Sequence, residues 1–164
     1  MKISGTSHLP VPVEQAYDMM QDPEVLAKCI PGCESLERTG ENEFAMRMKT
    51  TLASISGKFE GKVRIADQNP PNSFRLIVET AGKIGFVNGD GLLSLTHASQ
   101  TATVTFEGEV HVGGVIANVG QRLIQTTAKM LTKRFFDSLA AQGGQRVNAS
   151  GASGGDVAVQ QSNQ

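Results

Sequence analysis

Residues 113–141 read GGVIANVGQRLIQTTAKMLTKRFFDSLAA. Val115, Ile116, Val119, Leu123, Met130, Leu131 and Phe135 recur there at helical spacing. Arg122, Gln125, Lys129 and Lys133 share the other face. The spacing predicts one amphipathic helix over the whole stretch. At about 1.5 Å per residue, roughly 27 residues make a rod of ~40 Å, long enough to cross a sheet. A single helix laid across one curved sheet closes a hollow, and a hollow suggests a ligand.

Upstream of this stretch the hydrophobic period is two. Residues 55–67 alternate most cleanly: Ile55, Phe59, Val63 and Ile65 face one side, and Lys58, Glu60, Lys62 and Arg64 the other. Residues 33–38 and 43–50 form a hairpin around Thr39-Gly40-Glu41-Asn42. Strands follow at 74–80, 86–97 and 101–111, separated by Asn69-Pro70-Pro71-Asn72, Ala81–Gly85 and Ala98-Ser99-Gln100. Asn88-Gly89-Asp90-Gly91 is read as a glycine-rich strand entry rather than a tight turn. Residues 2–9 make a first strand. Two short helices come next, at 14–20 and from Asp22-Pro23 to the Ile30-Pro31-Gly32 turn, with Asp22 as N-cap and Pro23 at the first helical position.

The expected architecture is α+β. A curved seven-stranded antiparallel sheet wraps around a long C-terminal helix, with two short helices after strand 1. One folded domain covers residues 1–142. Residues 143–164, rich in Gly, Ser and Gln, are expected to be a disordered tail.

Bulk properties narrow the function. The chain has 164 residues, 39% of them hydrophobic, and a net charge of -1, with no Trp and one Tyr. No basic run argues for nucleic acid. No apolar stretch approaches the ~18 residues needed to span a membrane. The N-terminus lacks an apolar signal region, so a cytoplasmic location is expected. Cys29 and Cys33 bracket a Pro-Gly turn. They supply only two ligands with no histidine nearby, so they read as small, semi-buried structural residues rather than a metal or redox pair.

Catalytic signals are sparse. His8, His97 and His111 lie on separate strands or strand ends without a partner at useful spacing. Glu107 and Glu109 share the solvent-facing parity of the last strand. Asp90, between two glycines, has no assigned place. No phosphate loop, dinucleotide fingerprint or nucleophile elbow is present.

The inward residues form a more coherent set. The strands supply Met46, Met48, Phe59, Val63, Leu76, Val78, Leu93, Leu95, Val104 and Phe106. The helix supplies Val119, Leu123, Thr127 and Met130. The set is almost wholly apolar, and its methionines adapt to irregular shapes. Gly57, Gly61, Gly89, Gly91 and Gly108 share the inward parity, and Gly120 lies on the helix. They either bend the sheet or leave room for a bound molecule. On the outer side of the helix, Arg122, Lys129 and Lys133 form a basic stripe. Phe135 and Phe136 are adjacent, so one of them, taken as Phe136, is expected to be exposed near that stripe and to suit a membrane surface or a partner.

The element order resembles the helix-grip domains of the START and birch-pollen-allergen superfamily. Within it the chain is similar to the CoxG family of carbon monoxide dehydrogenase subunits. The residues that carry this are Pro10-Val11-Pro12-Val13 into Ala16-Tyr17, the block from Cys29 to Leu36, and Lys58–Val63. Gly89-Asp90-Gly91 and the run from Gly113 through Gly120-Gln121-Arg122 to Phe135-Phe136 complete them. The likeness spans residues 1–141. It implies a non-catalytic accessory of a carbon monoxide dehydrogenase-type molybdenum hydroxylase that recruits the enzyme to the inner face of the cytoplasmic membrane. It also implies a quinone, menaquinone or ubiquinone, held in the cavity without covalent attachment. Two other readings stand beside it: a helix-grip enzyme with polar groups in its cavity, and an interaction scaffold packed solid.

Overall fold

In a computed structural model the structure describes residues 1–52 and 55–150, without the side chains of 52, 55 and 144–150. The chain runs β1 (Lys2–Leu9), α1 (Val13–Met19), α2 (Pro23–Cys29), β2 (Cys33–Gly40), β3 (Glu43–Leu52), β4 (Ile55–Asn69), β5 (Ser73–Gly82), β6 (Gly85–Ala98) and β7 (Thr101–Gly113). A 3-10 turn (Val115–Val119) and α3 (Gln121–Ser150) close it. The sheet has seven antiparallel strands in the order β1-β7-β6-β5-β4-β3-β2. Each strand from β2 to β7 pairs with its neighbour in sequence, as short turns between period-two segments require. β1 docks beside β7, with Leu9 opposite Ala102 and Lys2 opposite Glu109.

Local signals act as expected at α2. Pro23 occupies the first turn, and the Asp22 carboxylate accepts from the Glu24 amide at 2.9 Å, capping an orphan donor. The Asn88–Gly91 segment is strand, paired with β5 on one side and β7 on the other. The main core fills one end of the molecule. Leu9, Val11, Val13, Tyr17, Met19, Phe44, Phe74, Leu95, Val104 and Leu139 are buried together there, and Tyr17 meets Phe74 edge-on at 5.5 Å. A second, smaller cluster surrounds Phe59 and Ile116 at the other end.

Two expectations about the C-terminal helix are corrected. The helix does not begin at 113. Gly113 ends β7, Gly114 takes φ 86°, residues 115–119 make the 3-10 turn, and Gly120 takes φ 101° before α3 starts at Gln121. These positive φ values are ones that glycine adopts freely and other residues rarely do. Gly120 is therefore a break before the helix, not part of it. At the other end, the change of composition at 143 does not stop the helix, which continues to Ser150. Gly143 is buried, and a Cβ there would lie 3.1 Å from Val11, so the small residue allows α3 to lie close to the core. Residues 151–164 of the expected tail lie outside the described residues, as does the side chain of Ile55.

Candidate ligand-binding hollow

Strand parity and register place one set of side chains on the face toward α3. Along β5 these are Phe74, Leu76, Val78 and Thr80; along β6, Val87, Gly89, Gly91, Leu93 and Leu95; along β7, Ala102, Val104, Phe106, Gly108, Val110 and Val112. Their burial is graded along the strands. Phe74, Leu93, Leu95, Ala102 and Val104 are buried. Leu76, Val78, Val87, Phe106, Val110 and Val112, on the same face, are only partly buried. These side chains are incompletely covered: Leu76, Val78 and Phe106 pack at the edge of the main core and Val87 and Val112 at the edge of the smaller cluster, while Val110 packs in neither.

The facing half of α3 shows the same gap. Phe135, Phe136, Leu139 and Ala140 join the main core. Ile124, Met130 and Leu131 are partly buried, yet belong to neither packed cluster, and Leu123 is 39% exposed. Ile3 and Val110, on the inward face of β1 and β7, are likewise outside both clusters. The interior is thus filled at the α1–α2 end and loosely filled beneath the first half of α3.

The sequence-derived lining divides accordingly. Met46, Phe59, Val63, Leu93, Leu95 and Val104 are buried in packed clusters and serve the core. Met48, Leu76, Val78 and Phe106 are partly buried at the edge of the main core, Val119 is partly buried against the smaller cluster, and Met130 is partly buried in neither. Thr127 is buried on α3. Leu123 faces open space, not an enclosed wall. Val87 and Val112, at the edge of the smaller cluster, and Val110 and Ile3, outside both, share this inward face and are not in the expected lining, although the period-two alternation of their strands already points them inward.

The glycines divide too. A Cβ on Gly61 would run into the Glu79 carbonyl and the Thr80 backbone, and one on Gly108 would lie 2.9 Å from the Asp90 carbonyl. These two glycines permit close backbone approach in a bent sheet. A Cβ on Gly89 would meet nothing nearer than 3.8 Å, so that glycine leaves space. At Gly57 the Ile84 side chain takes the room, at 2.9 Å.

Phe136 corrects the expected docking face. It is 6% exposed and stacks on Phe106 with ring centroids 5.0 Å apart. The buried side of α3 changes along its length. Thr127 is buried in the first half and Phe136 in the second, and nine residues at about 100° each put them on opposite sides of the helix. Arg122, Lys129 and Lys133 are exposed as expected, and Lys133 pairs with Asp137 at 2.7 Å.

Polar chemistry gathers on the outer face. Asp90 accepts from Arg75 at 2.7 Å, which raises the guanidinium pKa further above its usual range, and Asp67 lies 3.5 Å from the same side chain. His111 sits 3.5 Å from Glu109. A concavity of about 710 Å³ opens on this side, lined by Lys2, Arg64, Arg75, Asp90, Glu107, Glu109 and His111 with Ile77 and Leu92. Asp90 and His111 share it, but each is exposed and paired to a different neighbour. They do not enter the space beneath α3. His8 lies 3.1 Å from the Thr103 hydroxyl, and His97 lies 3.9 Å from Glu14, both at the surface.

Among the described residues no helix is long and apolar enough to cross a membrane. Residues 5–143 match the carbon monoxide dehydrogenase family CoxG. A conserved protein from Geobacillus kaustophilus is 32% identical, with a TM-score of 0.85, over 88% of this chain and 96% of that one. Two more distant structures share the fold alone. A START superfamily protein from Mycobacterium smegmatis, 8% identical, has a TM-score of 0.70 over 88% of this chain and 97% of its own. An aromatase/cyclase from a Streptomyces species, 12% identical, has a TM-score of 0.67 over 92% and 98%. No curated protein matches by sequence. The helix-grip architecture and the match across nearly the whole described chain make it a member of the CoxG family of carbon monoxide dehydrogenase subunits.

Proposed function

We propose that this protein binds an apolar molecule between the sheet and the first half of α3, and does so without catalysing a reaction on it. The observation that carries the reading is the graded burial of one continuous inward face. Leu76, Val78, Val87, Phe106 and Val110 stay partly exposed where Leu93, Leu95 and Val104 beside them are buried. Covering apolar surface yields about 25 cal/mol per Å², so a molecule seated there gains affinity from area the protein itself leaves unfilled. Family membership extends the reading. The chain acts as an accessory of a carbon monoxide dehydrogenase-type molybdenum hydroxylase, the ligand is a respiratory quinone, and the basic side of α3 (Arg122, Lys129, Lys133) faces the enzyme or the inner membrane surface.

The test is extraction of the purified full-length protein with organic solvent, followed by mass spectrometry and by titration with menaquinone and ubiquinone analogues. An isoprenoid quinone in the extract, or saturable binding of an analogue, is expected. A lipid-free extract together with absent binding would sink the proposal and favour a packed scaffold.

A further inference from the structure

Resting on the apolar-ligand reading above, we infer that the Thr127 hydroxyl is the hydrogen-bond donor that orients the ligand, and that the ligand therefore carries an acceptor oxygen, as a quinone carbonyl is, at that point. Thr127 is 8% exposed, the most buried residue in the first four turns of α3. Its neighbours one turn away on the same helix face are Leu123, Ile124, Met130 and Leu131, and none of their side chains offers an oxygen or nitrogen acceptor. The usual solution for a helical threonine is to donate to the carbonyl four residues back, and Thr132 does so, to Ala128 at 2.8 Å. The other buried threonine, Thr80, donates to the Val87 carbonyl at 2.8 Å. Thr127 makes neither kind of bond among the described residues.

The position of its oxygen adds a second observation. Among the described residues, the side-chain polar atoms sealed off without a close partner are the Gln21 amide nitrogen and the Tyr17 hydroxyl, the latter near the Asn69 backbone. The Thr127 hydroxyl is unpaired but not sealed, so it still borders open space. On a residue more than nine-tenths buried, that opening is small, and one turn away on the same face lie Ile124, Met130 and Leu131, which stand off both packed clusters. A hydroxyl that reaches this space without a protein partner can donate to an oxygen of a molecule seated there, in place of water. An apolar molecule with no acceptor would cover the donor unpaired, which is costly.

Menadione and 2-methylnaphthalene share one carbon skeleton and differ in the two carbonyls. Both are titrated into the wild-type full chain and into Thr127→Val and Thr127→Ser. Menadione is expected to bind Thr127→Val roughly three- to ten-fold more weakly. Thr127→Ser is expected to stay within about two-fold of wild type, and 2-methylnaphthalene to bind Thr127→Val at least as tightly as the wild type. The carbonyl stretch of bound menadione is expected to be red-shifted in the wild type and Thr127→Ser, and unshifted in Thr127→Val. Equal menadione affinity and an unchanged stretch in Thr127→Val would overturn the inference and leave the apolar-ligand reading intact. Failure of the wild type to bind either probe would overturn both.

Discussion

At the scale of single residues, Cys29 shows how burial changes chemistry. It closes α2 inside the main core, and that burial pushes its thiol from 9.0 up to about 11, against a smaller opposing effect of Lys28. The unfolded chain loses this proton near pH 9 while the folded chain keeps it until about pH 11, so stability falls as pH rises through that window. Urea denaturation between pH 8 and pH 11 is expected to show a steeper alkaline loss for the wild type than for Cys29→Ala. Parallel curves would exclude the effect. Burial of this kind was legible from the apolar surroundings of the Cys-Ile-Pro-Gly-Cys block. The position of Phe136 was not, because spacing arguments assume that one helix face is buried throughout. Here that face shifts by about half a turn between Thr127 and Phe136.

At the scale of elements, the strands were readable because a half-wet sheet imposes strict alternation. Lys58, Glu60 and Lys62 are exposed where Phe59 and Val63 are buried. What alternation cannot distinguish is a glycine that bends a sheet from one that leaves space, since both sit at inward parity. The distinction depends on how close the neighbouring strand comes, and that is a property of curvature. Gly61→Ala must push its new methyl into the β5 backbone, and the expected cost is about 1–3 kcal/mol. Gly89→Ala has room, so its denaturation midpoint is expected to stay near that of the wild type. Equal losses in the two variants, measured by urea titration, would refute this division of roles. The start of α3 is not legible in the sequence for a related reason: Val115, Ile116 and Val119 suit a 3-10 turn as well as a helix, and only the backbone φ at Gly114 and Gly120 separates them.

At the scale of the whole molecule, the family and the layout were legible because the element order and the Cys-Ile-Pro-Gly and Gly113–Phe136 motifs run the length of the fold. The uneven filling of the interior was not, since it depends on how far a helix stands from a sheet. That unevenness bears on one further feature, the short turn between Gly114 and Gly120. The turn is tied to the rest by the Ile116 amide, which donates to the Ile84 carbonyl at 2.6 Å, and by the Ile116 side chain in the smaller cluster, while Val115 is 64% exposed. Releasing one buried isoleucine costs about 1.5–3 kcal/mol, and one backbone hydrogen bond about 0.5–1.5. The sum, roughly 2–4.5 kcal/mol, leaves between about one molecule in thirty and one in two thousand with the turn swung out at any moment. Amide exchange at Ile116 should therefore run far ahead of exchange at Leu93 or Val104, and equal protection at the three would show the turn to be locked. The smaller cluster around Phe59 would then open and close with this turn alone, without any unfolding of sheet or helix.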